Sequence, residues 1–292
     1  MGSAGMIAIA ETASGKSHRD ENFPVASFLI SPERRAPVLA FYNFVRAADD
    51  ISDHATLSPL EKLVLLDRLE AALLGEGPDE PVARALRETL ADRGVAAQHA
   101  LDLLTAFRRD VTKLRYDDWD DLIDYCRYSA MPVGRYVLDV HGEDAARSWG
   151  PNDALCAALQ IINHLQDCGK DYRELNRVYL PQDCLARHGA GVEMLAGERS
   201  PPELRAAIAE LAGKTRLLLA QSREFSGRIR DLRLAMEVGA IQSLAETLVE
   251  KLSVADPLCD KVHAGKAQFA LIGTAGAAAV LMRRILERGR SR

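Results

Sequence analysis

Between Ala154 and Leu165 this 292-residue chain is apolar around almost the whole helical wheel: Leu155, Cys156, Ala157, Ala158, Leu159, Ile161, Ile162 and Leu165 leave no solvent face. A helix of that kind is buried inside other elements. One line interrupts it. Gln160, Asn163, Asp167 and Asp171 follow at i, i+3, i+7 and i+11, which is a single stripe on a helix. Buried amides and carboxylates are costly without partners. The stripe therefore predicts a lined cavity, with a structural polar network as the alternative.

The rest of the chain supplies the surround. Apolar residues recur at spacings of three and four in most windows and almost nowhere alternate, which predicts an all-α fold. Ser31-Pro32-Glu33-Arg34 and the capping box Ser58-Pro59-Leu60-Glu61 are helix starts. Asp153 is read as the start of a long helix running to about Asp171. Gly75, Gly94 and Gly142 follow periodic runs as stops. The acidic run Asp117-Asp118-Trp119-Asp120-Asp121 opens a helix, where carboxylates cap free N–H groups. The loop 194–202, with Gly197, Pro201 and Pro202, is the best place for an internal break. It is short, and similar helices flank it, so one domain over 21–292 is expected behind a flexible tail of residues 1–20. Within that tail Ala10 to Ser17 ends like a phosphate-binding loop but lacks the preceding strand that chemistry needs.

A net charge of −5 argues against nucleic-acid binding, which needs a basic footprint. Five scattered cysteines form no C-x-x-C pair and no zinc-ligand spacing, so they read as small apolar residues in a reducing compartment. Residues 1–20 hold no apolar core for export, which points to the cytoplasm. The longest apolar run, Ala267 to Met282, lies between Lys266 and Arg283-Arg284. It is shorter than the ~20 residues a spanning helix needs, so a buried C-terminal helix is expected. The alternative is a helix touching the inner membrane face through its apolar side and Arg283, Arg284 and Arg288.

A second stripe sharpens the first. Tyr42, Arg46, Asp49 and Asp53 stand at i, i+4, i+7 and i+11. Alone they read as a solvated face with an Arg–Asp pair. Beside the stripe ending in Asp167 and Asp171 they become a second pair of hard oxygen ligands suited to Mg²⁺. Asp50 is offset by about 100° and reads as a neighbour. Mg²⁺ would neutralise a departing diphosphate, and an apolar helical interior would shelter a hydrocarbon and its cation from water.

Tyr-x3-Arg-x2-Asp-x3-Asp and Gln-x2-Asn-x3-Asp-x3-Asp, in that order, resemble the squalene/phytoene synthase family. Tyr125-Cys126 with Val133-Gly134, and Arg177-Val178-Tyr179-Leu180-Pro181, are similar to two further family segments. The resemblance covers about 21–285. It implies a helical isoprenoid-synthase bundle around a central apolar cavity, Mg²⁺ as cofactor and a prenyl diphosphate substrate. It carries Asp49, Asp53, Asp167 and Asp171 over as metal ligands and catalytic residues, with Tyr42 and Arg46 as catalytic partners. Phe23, Tyr125, Gln160, Asn163, Arg177, Tyr179 and Lys266 become substrate contacts. Condensing members commonly carry Arg where this chain has Gln166, and a Ser-Lys-Ser-Phe-like segment where it has Asp20 to Phe23. Glu21 to Ser27 resembles the branch that converts presqualene diphosphate to hydroxysqualene on the way to bacterial hopanoids, with handover to other enzymes of that pathway. The alternatives are head-to-head condensation to squalene, dehydrosqualene or phytoene, and a non-catalytic scaffold whose aspartates only pair with arginines. His164, beside the amide stripe, reads either as a base or as a packed histidine.

Overall fold

Proline opens four of the helices. Its fixed φ suits the first helical position, where its missing N–H would have had no partner. Helices α1 (Pro32–Asp53), α2 (Pro59–Leu74) and α3 (Pro81–Arg93) begin this way and lead into α4 (Gln98–Thr112). The computed structural model describes residues 9–12 and 31–290; Phe23 and the segments 13–17 and 20–27 lie outside them. Ser58 and Glu61 form the expected capping box, with Ser58 N donating to Glu61 Oε2 at 2.8 Å. Gly75 and Gly94 end α2 and α3 at φ +77° and +64°, a conformation that glycine adopts without Cβ strain.

The chain divides into two compact units at Lys113. The first packs α1 against α2, α3 and α4 around Phe44, Ile51, Leu66, Leu69, Leu86 and Leu104. The second begins with α5 (Trp119–Ser129), α6 (Met131–Val140) and α7 (Ala145–Leu175). It continues through α8 (Gln182–Arg187), α9 (Pro202–Ser222), α10 (Phe225–Arg228), α11 (Leu232–Leu252) and α12 (Lys266–Arg290). Among the described residues there is no strand, only an isolated bridge between Arg115 and Val178. The fold is all-α. Helix α7 is the axis of the second unit and packs against α5, α6, α9, α10 and α11. The loop 194–202 lies within that unit. It is pinned where Ser200 donates twice to Asp256, at 2.8 Å from its backbone N–H and 2.6 Å from its hydroxyl.

Two helix starts differ from the sequence reading or explain it. Helix α7 begins eight residues before Asp153, with Asp144 as its cap accepting from Ala146 N at 3.0 Å. Pro151 hid this start, because proline removes an interior helical bond. The carbonyl it frees, Arg147 O, accepts instead from Arg228 Nη1 at 3.5 Å. The same repair serves Pro37 in α1, where Glu33 O accepts from Arg93 of α3. In α5, Asp118 is the N-terminal cap and accepts from Asp121 N at 2.9 Å, so the acidic run opens the helix as expected.

The expected burial of the C-terminal helix does not hold. Only 17% of the apolar window in α12 is buried, and by length and composition the helix is apolar enough to cross a membrane. Its contacts are with α11 through small residues, which leaves its larger side chains outside.

Candidate active site

On α1 the four predicted residues form one line. Tyr42, Arg46, Asp49 and Asp53 are half-buried, while Phe41, Phe44, Ala48, Ile51 and Ser52 on the other sides are buried. Arg46 lies between two carboxylates, 2.9 Å from Asp49 and 2.6 Å from Asp50. Asp50 is buried and anchors the guanidinium, as expected of a neighbour outside the stripe. Desolvation is the main cause that pushes the Asp49 carboxyl up to about 7. Asp53 adds to the rise, Arg46 opposes it, and Asp110 and Asp50 contribute further. Asp110 was missed in the sequence. It is a buried acid of α4 that follows Leu103 and Phe107 at helical spacing, and an acid on an apolar face was the available signal.

On α7 the pattern repeats more sharply. Its buried faces carry Ala157, Ala158, Ile161, Ile162 and Leu165, whereas Gln160, Asn163, Asp167 and Asp171 are half-open. Asp167 lies 3.5 Å from the His263 ring, a second partner that sequence spacing did not suggest. Gln166 is turned into the packing. It is buried and donates to Val262 O at 3.3 Å, so this side chain ties α7 to the segment before α12.

The chain returns after α7 to build the wall beside this stripe. Asn176 closes the helix at φ 52°, the left-handed conformation in which asparagine is tolerated. Val178 N then donates to Leu114 O at 3.0 Å and Gln182 N to Tyr116 O at 2.9 Å. That alignment gathers four rings. Tyr179 stacks on His164 at 3.5 Å and on Tyr116 at 5.5 Å, and Tyr125 lies 5.2 Å from Tyr116 and 5.3 Å from Tyr179. Tyr125 and Tyr179 were anticipated. Tyr116 was not, because only the pairing of two distant segments places it there. His164 is buried, and burial, aided by the nearby Arg177 charge, lowers its pKa to about 3. Gln160 Nε2 stands 3.2 Å from His164 Nε2, so the amide donates and the ring proton sits on Nδ1. Lys266 stands exposed at the first position of α12.

Cys184, His188 and Glu210 form a separate cluster whose donor atoms lie within 4.8 Å of one another. Glu210 is already engaged by Arg187 at 2.7 Å, His188 at 2.8 Å and Lys214 at 3.6 Å, and the His188 bond leads in lowering its pKa to about 2. Burial raises the Cys184 thiol to about 11. Two cations and a protonated thiol suit an ion-pair network, not a divalent metal.

Helix α7 sets half-open carboxylates beside a wall of aromatic rings, and α1 carries its own carboxylates with a clamped arginine; each set is chemistry suited to an anionic head on an apolar body. The family comparison agrees: the squalene/phytoene synthase model matches residues 16–268, and the chain belongs to that family and is one of its enzymes. It is 54% identical to the hydroxysqualene synthase of Rhodopseudomonas palustris over 97% of both chains. It is 53% identical to the hydroxysqualene synthase of Sinorhizobium fredii over 93% of each. Its structure superposes on that of a squalene synthase from Alicyclobacillus acidocaldarius with a TM-score of 0.68, at 30% identity, covering 94% of this chain and 92% of the other.

Proposed function

We propose that this enzyme converts presqualene diphosphate to hydroxysqualene with release of diphosphate, in squalene and hopanoid biosynthesis. The identity of 54% across 97% of both chains with a hydroxysqualene synthase carries this reading. The donor chemistry fits Mg²⁺. Asp49 is desolvated and lies among the negative charges of Asp53, Asp110 and Asp50 with Arg46 opposing them, an environment that a divalent cation would relieve. Asp49 and Asp53 on one helix, and Asp167 and Asp171 on another, would be its protein ligands. Bound there, Mg²⁺ would stabilise the charge of the leaving diphosphate.

The chain's own groups supply the rest. Arg46, held in place by Asp50, is a fixed cation for a phosphate oxygen, and Arg177 and Lys266 are further cationic contacts. Tyr42, Phe23 and Asn163 complete the substrate contacts. The faces of Tyr125 and Tyr179 favour a carbocation and keep bulk water away from it. Gln160 holds His164 as a neutral ring, able to orient the water whose oxygen ends the reaction. No hydride is consumed, because water rather than a reductant closes the cation. We place the enzyme in the cytoplasm at the inner membrane face, where a C30 product can pass to the next enzymes.

Substrate choice tests this reading. Purified protein with Mg²⁺ is expected to make hydroxysqualene from presqualene diphosphate and little or nothing from farnesyl diphosphate alone. Efficient conversion of farnesyl diphosphate alone to a C30 product would replace the proposal with head-to-head condensation.

A further inference from the structure

Helix α12 is built inside out. Toward α11 it presents Gly276, Ala277 and Val280, all buried. A Cβ on Gly276 would come within 2.5 Å of Gly239 O, and one on Gly239 within 2.4 Å of Val280 Cγ2, so nothing larger fits between the two backbones. The larger apolar residues point the other way. Leu271, Met282, Ile285 and Leu286 are 73%, 56%, 54% and 61% exposed. At 100° per residue these four share an arc of about 100° with Ala275 and Ala278, over a length of roughly 22 Å. The helix sequence carries positive charge at both ends: from Lys266 onward there are six basic residues and one acidic residue, Glu287, in a chain whose net charge is −5, and Arg283 and Arg284 also donate to Ser226 and Ile229 in the segment before α11.

A second copy of the chain fits this face poorly. A helix strip of that length and width offers on the order of 300 Å², against the ~800 Å² per partner of a stable interface. Two copies would also bring their basic flanks together. A surface with an apolar interior and an anionic rim satisfies both features at once.

We propose that α12 lies along an anionic lipid surface, with Leu271, Met282, Ile285 and Leu286 inserted among the acyl chains and the basic flanks at the headgroups. This deepens the proposed function and rests on it in one respect: a C30 substrate and product would reside in that lipid. The glycine contact with α11 keeps the helix flat against the protein rather than free to span.

Flotation of the full chain with vesicles of phosphatidylcholine, with or without phosphatidylglycerol, tests it. The wild type is expected to float with the anionic vesicles and to be released by high salt. The triple variant Leu271→Glu, Met282→Glu, Ile285→Glu should bind at least about tenfold more weakly, from the apolar area it no longer buries. Its turnover of detergent-dispersed presqualene diphosphate should equal that of the wild type. The proposal is overturned by absent binding to anionic vesicles, by binding the triple variant retains, by binding that survives salt and carbonate, or by a dimer that the triple variant dissociates. Failure of the functional reading is separable: vesicle binding would persist while detergent-dispersed substrate gave no product.

Discussion

In α7 large aliphatic side chains point inward and a polar stripe is left half-open; in α12 small residues point inward and large aliphatic ones are left outside. Both helices carry long apolar runs, so hydrophobicity alone does not separate them. Side-chain volume at the contact does. Helix α7 meets five helices and needs bulk all round to fill the space between them, whereas α12 meets α11 across a glycine seam that admits no bulk. The polar line on the first helix and the apolar line on the second are thus the two places where each departs from its packing duty, and both are where ligand binding is proposed.

The largest expected effect is on the packed side of α7. Ile162 is fully buried, and Ile162→Ala should cost about 2–5 kcal/mol of stability through lost contact and a residual cavity, read as a shift in urea midpoint at constant m-value. A loss much below that would mean α7 is not the packed axis. On the open side of the same helix, Asp167→Asn should leave the midpoint nearly unchanged and lower turnover at least about a hundredfold, roughly 2.7 kcal/mol of barrier. Asp118→Asn, at the cap of α5, is the control that should barely affect turnover. Near-normal turnover by Asp167→Asn at fixed Mg²⁺ would remove the metal assignment.

His164 sits at the boundary between the two sides of α7. Its folded-state pKa of about 3 lies below the 6.5 of an unperturbed ring. Between those values the unfolded chain takes up a proton that the folded chain refuses, so its contribution is complete above pH 6.5 and is lost as pH falls toward 3. The slope is at most about 1.4 kcal/mol per pH unit. Comparing urea midpoints of wild type and His164→Gln from pH 7 to 5 checks this; parallel curves would show that the ring is not held neutral. The smallest effect belongs to α12. Leu271→Ala should change stability by less than about 0.5 kcal/mol, the range for exposed positions, and a larger loss would show that this face is covered.

What the sequence made legible follows from what is local. Helix caps such as Ser58 and Asp118 act within a few residues, and the stripes at 42–53 and 160–171 are fixed by the helical repeat alone, so both could be read directly. The start of α7 could not, because the bond that tolerates Pro151 comes from Arg228, far away in sequence. Tyr116 was illegible for the same reason, since it depends on pairing between the 114–116 and 178–182 segments; Asp110 carried a signal as an acid on the apolar face of α4, but its meaning depended on α4 packing against α1. The fate of α12 turned on the residues opposite it, which no periodicity within the helix reveals. Residues 20–27, which carry part of the resemblance to the presqualene-using branch, lie outside the described structure and rest on sequence alone.

The claim at the centre of this account is that water, not hydride, ends the reaction. Purified enzyme supplied with Mg²⁺ and presqualene diphosphate in ¹⁸O-labelled water, with NADPH omitted, should give hydroxysqualene whose hydroxyl carries the label. Unlabelled alcohol, or a C30 hydrocarbon formed only when NADPH is added, would contradict it.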